Sequence, residues 1–218
     1  MRAKDFITEG LNHPIICVDV QPEYVKYGGL STQDKCIEII KFVNKQTGPV
    51  LMFINAEESG TSGDTKEEIM RYWEYTMTDG DEDWYDAGNP PPVDWDRFTI
   101  VDKGYGYLRS WMDHDVSPKS IIKVIRLMYQ NKISDSRELF GGEESKDFEI
   151  SMKALIGYDY VSWMKYDPIT VNWASVAQLK QFSGSYIVGG GRNECLREVE
   201  LLMNSFNIRY KRIDSLVY

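Results

Sequence analysis

Histidine is almost missing from this chain: His13 and His114 are the only two in 218 residues, so a cluster of imidazoles around zinc cannot be assembled. Cysteine is scarce as well. Cys17, Cys36 and Cys195 are an odd number without Cys-x-x-Cys spacing, which argues against a disulfide framework and suits a reducing compartment. No apolar run approaches the roughly eighteen residues of a membrane span, and the opening MRAKDFITEG has no signal-peptide core. A cytoplasmic location with no membrane partner is therefore expected. Positive charge is in deficit, 25 Lys and Arg against 34 Asp and Glu, for a net charge of −9. Nucleic acids and anionic membranes require clustered Lys and Arg, so neither is an expected partner. Internal repeats and low-complexity linkers are also absent. At this length one domain, residues 1–218, is the expected organisation.

What is present alternates between apolar runs and amphipathic stretches. Ile15 to Val20 is a buried-strand run with Asp19 near its end, and Val50 to Ile54 is a second. Between them Ser31 or Thr32 can cap a helix to about Gln46 on a stripe of Cys36, Ile39, Ile40 and Val43. This β-α-β opening predicts a parallel sheet. Arg97 to Asp102 resumes strand character, with Lys103 at its exit. Ser117-Pro118 opens a helix by N-cap and first-turn logic, a short helical piece lies near Phe148 to Ile156, and Tyr158 to Met164 reads as a strand with Lys165 at its exit. A helix from about Thr170 to Phe182 and a last strand, Ile208 to Ile213, complete the series.

Residues 57–96 differ in kind, with thirteen acids against two bases, six aromatics and a Pro90-Pro91-Pro92 break. They read as an inserted lid, helical around Glu67 to Tyr75 and loop beyond. Asp79, Asp81 and Asp83 alternate as calcium ligands do, but Trp84 stands where the loop glycine belongs and Pro90 where the closing glutamate belongs. A solvated acidic loop is the better reading, and no metal is expected. Residues 104–157 look like further extra material. The tryptophans Trp73, Trp84, Trp95 and Trp111 either fill a core or line a pocket.

The stretch the rest is organised around is Ser185 to Tyr210. Tyr186 to Val188 is an apolar strand, Gly189, Gly190 and Gly191 break it, and Leu196, Val199, Leu202, Met203 and Phe206 form a helical stripe. Cys195 falls in the first turn of that helix, just past the carboxyl end of a strand, where open α/β sheets place ligands. Unpaired N–H groups and the helix dipole there favour a thiolate. Two plainer readings stand beside this one: a buried structural cysteine, and glycines that only allow close packing or hold a phosphate.

Two motifs resemble the isochorismatase-like cysteine hydrolases, which include nicotinamidases and ureidoacrylate or carbamoyl amidohydrolases. ICVDVQPEY is similar to the family's V-[IV]-D-x-Q, and VGGGRNECL to G-[VI]-x-T-x-x-C. The resemblance implies a three-layer α/β/α fold with a mainly parallel sheet of Rossmann-type topology. It implies Asp19 as general base, Gln21 beside it, Gly189 as the motif glycine and Cys195 as nucleophile. The third catalytic member is a lysine, for which Lys165 and Lys103 compete. Lys165 is favoured, because one β-α-β step from lysine to cysteine is the simpler topology. Gln21, Gly190, Gly191 and Arg192 are the expected substrate-binding residues. Arg192 stands in place of the motif threonine, and the family's cis peptide falls at Gly189-Gly190. The metal-binding Asp-x-His-x-x-His of nicotinamidases is absent, so no cofactor is implied.

The expected reaction is hydrolysis of a small amide or carbamoyl C–N bond through a thioester, with an anionic substrate group favoured by Arg192. Vinyl-ether hydrolysis without cysteine attack is an alternative within the family. A degenerate member that binds a small molecule or protein partner without turnover is the second hypothesis, and a nucleotide binder using GGGRN as a phosphate loop is the third. The family also implies a homo-oligomer as an alternative to a monomer.

Overall fold

Two short apolar runs set the architecture. Ile15–Val18 (β1) and Val50–Ile54 (β2) are buried at every residue, as runs without polar alternation require when a sheet is covered on both faces. They pair in parallel, with Ile15 opposite Val50 and Val18 opposite Phe53. A parallel pair needs a long crossover, and the helix Pro22–Asn44 (α1) supplies it. The computed structural model describes residues 12–55, 63–78, 93–142, 146–157 and 162–218. Along the chain the further strands are Phe98–Asp102 (β3), Tyr105–Gly106 (β4), Thr170–Val171 (β5), Ser185–Gly189 (β6) and Tyr210–Arg212 (β7). β4 and β5 form a small antiparallel ladder of their own. The other five make one sheet in the order β3-β2-β1-β6-β7, parallel throughout. The fold is thus α/β, a parallel sheet flanked by helices, as the β-α-β opening predicts.

Two compact units divide the chain, where the sequence reading counts a single domain. The first holds the described residues of Met1–Lys103, Phe182–Leu196 and Tyr210–Tyr218, and contains the whole five-stranded sheet; the second comprises Gly104–Gln181 and Arg197–Arg209. The segment 104–157, read as extra material, therefore makes up much of the second unit, as the helices Leu108–Asp113 (α3), Pro118–Asn131 (α4) and Lys146–Ile156 (α5).

The core of the first unit follows from strand alternation. Ile15 and Cys17 of β1 and Val50, Met52 and Ile54 of β2 meet Cys36, Ile39, Ile40 and Val43, the predicted stripe of α1. The helix Lys66–Thr78 (α2), within the expected lid, adds Ile69 and Trp73 to the same core. Each such side chain contributes about 1.5–3 kcal/mol on burial. Trp73 also donates its indole N–H to the Val20 carbonyl at 2.9 Å, fastening α2 to the turn after β1. Trp111, in the second unit, is equally buried, so both are core residues, while Trp84 and the alternating Asp79, Asp81 and Asp83 lie outside the described residues.

Several boundaries move. α1 begins at Pro22 rather than near Ser31, because a proline at the first helical position starts it without a side-chain cap. Ser117 caps α4 as expected, accepting from the Ser120 N–H at 3.1 Å. The strand expected over Tyr158 to Met164 is not found among its described residues: Ser162–Lys165 is a 3₁₀ turn. The helices after it are Trp173–Gln181 (α6) and Cys195–Ser205 (α7).

Candidate functional site

Register brings the strand exits level. Val18 lies opposite both Phe53 and Gly189, and Ile54 lies opposite Asp102, so Asp19, Lys103 and the glycine turn all leave the sheet along one carboxyl edge. From β1 the chain winds outward to β2 and β3 on one side, while β6 and β7 lie on the other. The exits of β1 and β6 therefore flank a topological switch point, where doubly wound sheets open a crevice.

Asp19 occupies that position in a left-handed backbone conformation, φ 51°. Its N–H donates to the Phe53 carbonyl at 3.1 Å, and its carbonyl accepts from the Gln21 N–H at 3.0 Å and from the Tyr218 hydroxyl at 2.7 Å. The turn aims a wholly buried carboxylate along the sheet edge. Oδ2 lies 2.5 Å from Lys103 Nζ, and Oδ1 is buried with no hydrogen-bond partner among the described residues. Lys103 leaves β3, two strands away from β1, a lateral step of about 10 Å at the usual spacing. Only a long side chain bridges that gap. The Lys103 N–H donates to the Ile54 carbonyl at 2.8 Å, its ammonium stands 5.6 Å from the Tyr24 ring centroid, and it is 7 % exposed. A charge pair this deep is retained only with close geometry, since desolvation of the two ions offsets much of their attraction.

Lys165, favoured from the sequence, sits elsewhere. It belongs to the second unit and pairs with Glu149 at 3.0 Å across a partly exposed surface. The physical reason is local: its segment forms a 3₁₀ turn instead of the sheet strand whose exit was to present it. Gln21 also differs from its expected role. Its Nε2 donates to the Asn55 carbonyl at 2.9 Å and to Asp64 Oδ2 at 2.8 Å, and its Oε1 accepts from the Asn55 N–H at 3.0 Å. Both amide protons are committed to tying the exits of β1 and β2 together, which leaves no donor for a substrate.

The glycine turn requires its glycines. At Gly189, φ 78°, a Cβ would stand 2.4 Å from the Val18 carbonyl oxygen, so only a bare Cα lets β6 approach β1 there. The Gly189-Gly190 bond is trans, where the resemblance implied cis. Beyond the turn the N–H groups of Glu194 and Leu196 donate to the Gly191 carbonyl and lead into α7, whose first residue is Cys195. Cys195 is partly exposed, whereas Cys17 and Cys36 are buried. Burial pushes the Cys36 thiol up to about 12 and Cys17 further, with the neighbouring Cys36 adding to the latter. Those two are inert as nucleophiles near neutral pH.

A cleft of about 470 Å³ opens at the turn, lined by Tyr24, Thr32, Gly191, Arg192, Asn193, Glu194 and Tyr218. Arg192 is half exposed at its rim and held by Asp214, Nη1 to Oδ1 at 3.1 Å. Tyr218 has no counterpart in the sequence reading. No spacing or motif marks it, because the return from β7 that carries it to the site is a tertiary event. Burial holds its phenol well above the ordinary tyrosine range, and the Asp19 carboxylate adds to that.

Among the described residues no group of three or more His, Cys, Asp or Glu is placed to hold a metal ion, and no helix is long and apolar enough to cross a membrane. No family model, curated protein or solved structure matches the chain.

Proposed function

We propose that the chain is a cysteine hydrolase that cleaves a small amide or carbamoyl C–N bond, with Cys195 as nucleophile, Asp19 as proton acceptor and donor, and Lys103 as the fixed cation. The observation that carries this reading is the buried Asp19–Lys103 pair with Asp19 Oδ1 left unpartnered, at the sheet edge from which the Cys195 turn also departs. The ICVDVQPEY and VGGGRNECL motifs support the same assignment.

In this scheme Asp19 takes the Cys195 proton and the thiolate attacks the substrate carbonyl carbon, moving the C=O electron pair onto oxygen. The N–H groups of Arg192 and Glu194 are already committed, to Tyr218 and Gly191, so the oxyanion donors are those of Gly190, Gly191 and Cys195. Collapse re-forms the carbonyl as the C–N bond breaks, and the leaving nitrogen receives the proton from Asp19. Water, deprotonated by Asp19, then attacks the thioester, and the thiol is regenerated with the acid product. Lys103 remains the ion-pair partner of that carboxylate between these transfers. An anionic group on the substrate would meet Arg192 at the rim.

Two measurements test the proposal. Iodoacetamide at neutral pH labels Cys195 faster than Cys17 and Cys36, and ammonia is released from at least one member of a carboxamide and ureido panel, with release abolished in Cys195→Ala and Asp19→Asn. Release that persists in both variants excludes this chemistry. Fast labelling with no turnover across the panel instead supports a fold that binds without cleaving.

A further inference from the structure

We propose that Tyr218 is a positioning residue that couples the proton acceptor to the nucleophile, by holding the Asp19 turn and the glycine turn before Cys195 in one fixed relation. This rests on the cysteine-hydrolase reading and adds a residue that neither motif contains.

The hydrogen bonds of Tyr218 divide between the two strand exits. Its hydroxyl donates to the Asp19 carbonyl at 2.7 Å, at the end of β1. Its main-chain N–H donates to the Gly190 carbonyl at 3.3 Å, and its main-chain oxygen accepts from the Arg192 N–H at 2.9 Å, both in the turn after β6. The segment bearing it is anchored in turn: Asp214 binds Arg192 and Arg212, and Lys35 Nζ donates to the Ser215 carbonyl at 3.0 Å. The phenol is therefore placed by backbone contacts on the nucleophile side and reaches across to the acceptor side.

A hydroxyl is needed there, not merely a ring. Asp19 sits at φ 51°, in the left-handed region, which Asp tolerates better than most L residues but which still costs free energy and is held by its surroundings. Without the Tyr218 hydroxyl its carbonyl keeps, among the described residues, the Gln21 N–H, the peptide after Asp19 is freer to rotate, and the carboxylate aimed at Lys103 moves with it. Because burial and the adjacent Asp19 hold the phenol protonated, it remains a donor throughout the neutral range.

The test is the pH profile of Cys195 alkylation by iodoacetamide in Tyr218→Phe, which keeps the ring and removes the donor. The expected result is a rate at pH 7 lowered about three- to tenfold, the range of one lost hydrogen bond, with the profile displaced to higher pH. Cys17 and Cys36 stay as slow as before, and Tyr218→Phe has no further effect in an Asp19→Asn background. An unchanged Cys195 profile overturns the inference. So does parallel acceleration at all three cysteines, which signals general loosening, or an effect of the same size when Asp19 is already Asn. If Cys195 in the unsubstituted protein is no faster than Cys17 and Cys36, the underlying hydrolase reading fails first, an outcome distinct from these three.

Discussion

Removing Lys103 isolates the physics of the candidate site. In Lys103→Met the Asp19 carboxylate, wholly buried, loses its charged partner at Oδ2, while Oδ1 has no hydrogen-bond partner among the described residues. Stranding one member of a buried pair costs about 3–5 kcal/mol, because the surviving charge keeps its desolvation penalty without its counterion. That is a large part of the roughly 5–15 kcal/mol that separates folded from unfolded states of ordinary domains. Replacing both members, as in Asp19→Asn/Lys103→Met, removes the stranded charge and restores most of the loss, so the two substitutions couple by about 2 kcal/mol or more. Urea titrations at pH 7 read this directly from the midpoints, with the slopes checking that the unfolded states are comparable. Lys165→Met is the control. Its pair with Glu149 is partly exposed, the side chains at 28 % and 49 %, and exposed pairs contribute about 0–1 kcal/mol. If Lys103→Met costs no more than Lys165→Met, or if the single and double substitutions are additive, the buried pair does not exist in solution and the mechanism loses its cation.

Gly189→Ala places a Cβ 2.4 Å from the Val18 carbonyl oxygen at φ 78°, and costs about 3 kcal/mol or more, whereas Gly184→Ala, at φ 91° with open space around it, costs about 1 kcal/mol; equal urea midpoints would refute the close approach. Gln21→Leu leaves the Asn55 main chain and Asp64 without the partners that bridge β1 to β2, and lowers stability by about 2–4 kcal/mol, while Cys195 alkylation in the folded protein stays within about twofold; a large alkylation defect at unchanged stability would return Gln21 to the site. The Cys36 thiol, raised from 9.0 to about 12 in the folded protein, contributes stability that is complete below pH 9 and lost as pH rises towards 12, because only the unfolded chain ionises in that window. Stability therefore falls with pH at up to about 1.4 kcal/mol per unit from this group. The raised phenol of Tyr72 acts in the same direction, so the difference in slope between the unsubstituted protein and Cys36→Ala gives the thiol's share, and identical slopes would refute its burial.

The parts of the fold that could be read from sequence are those in which one segment carries its own evidence. β2 and the stripe of α1 are apolar by composition and period, Ser117-Pro118 is a complete helix start, and the glycine run before Cys195 marks a strand that has to stop. Boundaries moved where two signals competed. At Pro22 a first-turn proline outweighed the Ser31 and Thr32 cap candidates, and α1 starts well before either of them. The tail of the site was illegible for a different reason. Tyr218 is an ordinary tyrosine in DSLVY, and only the return of the chain along Gly190 and Arg192 gives it a role.

The choice between the two lysines shows where topology adds what pattern cannot. Counting elements along the chain makes Lys165 the neighbour of Cys195, since a single crossover separates them if Tyr158 to Met164 is a sheet strand. Counting strands across the sheet gives another answer. β3 lies two places from β1, in register through Ile54 and Asp102, and its exit is level with that of β1. The buried Asp19 carboxylate meets its counter-charge on a lysine that leaves the same sheet edge two strands away. Adjacency in sequence is therefore a poor guide to a doubly wound site: the groups that meet are those whose strands end at the same height, and that height is set by interstrand register.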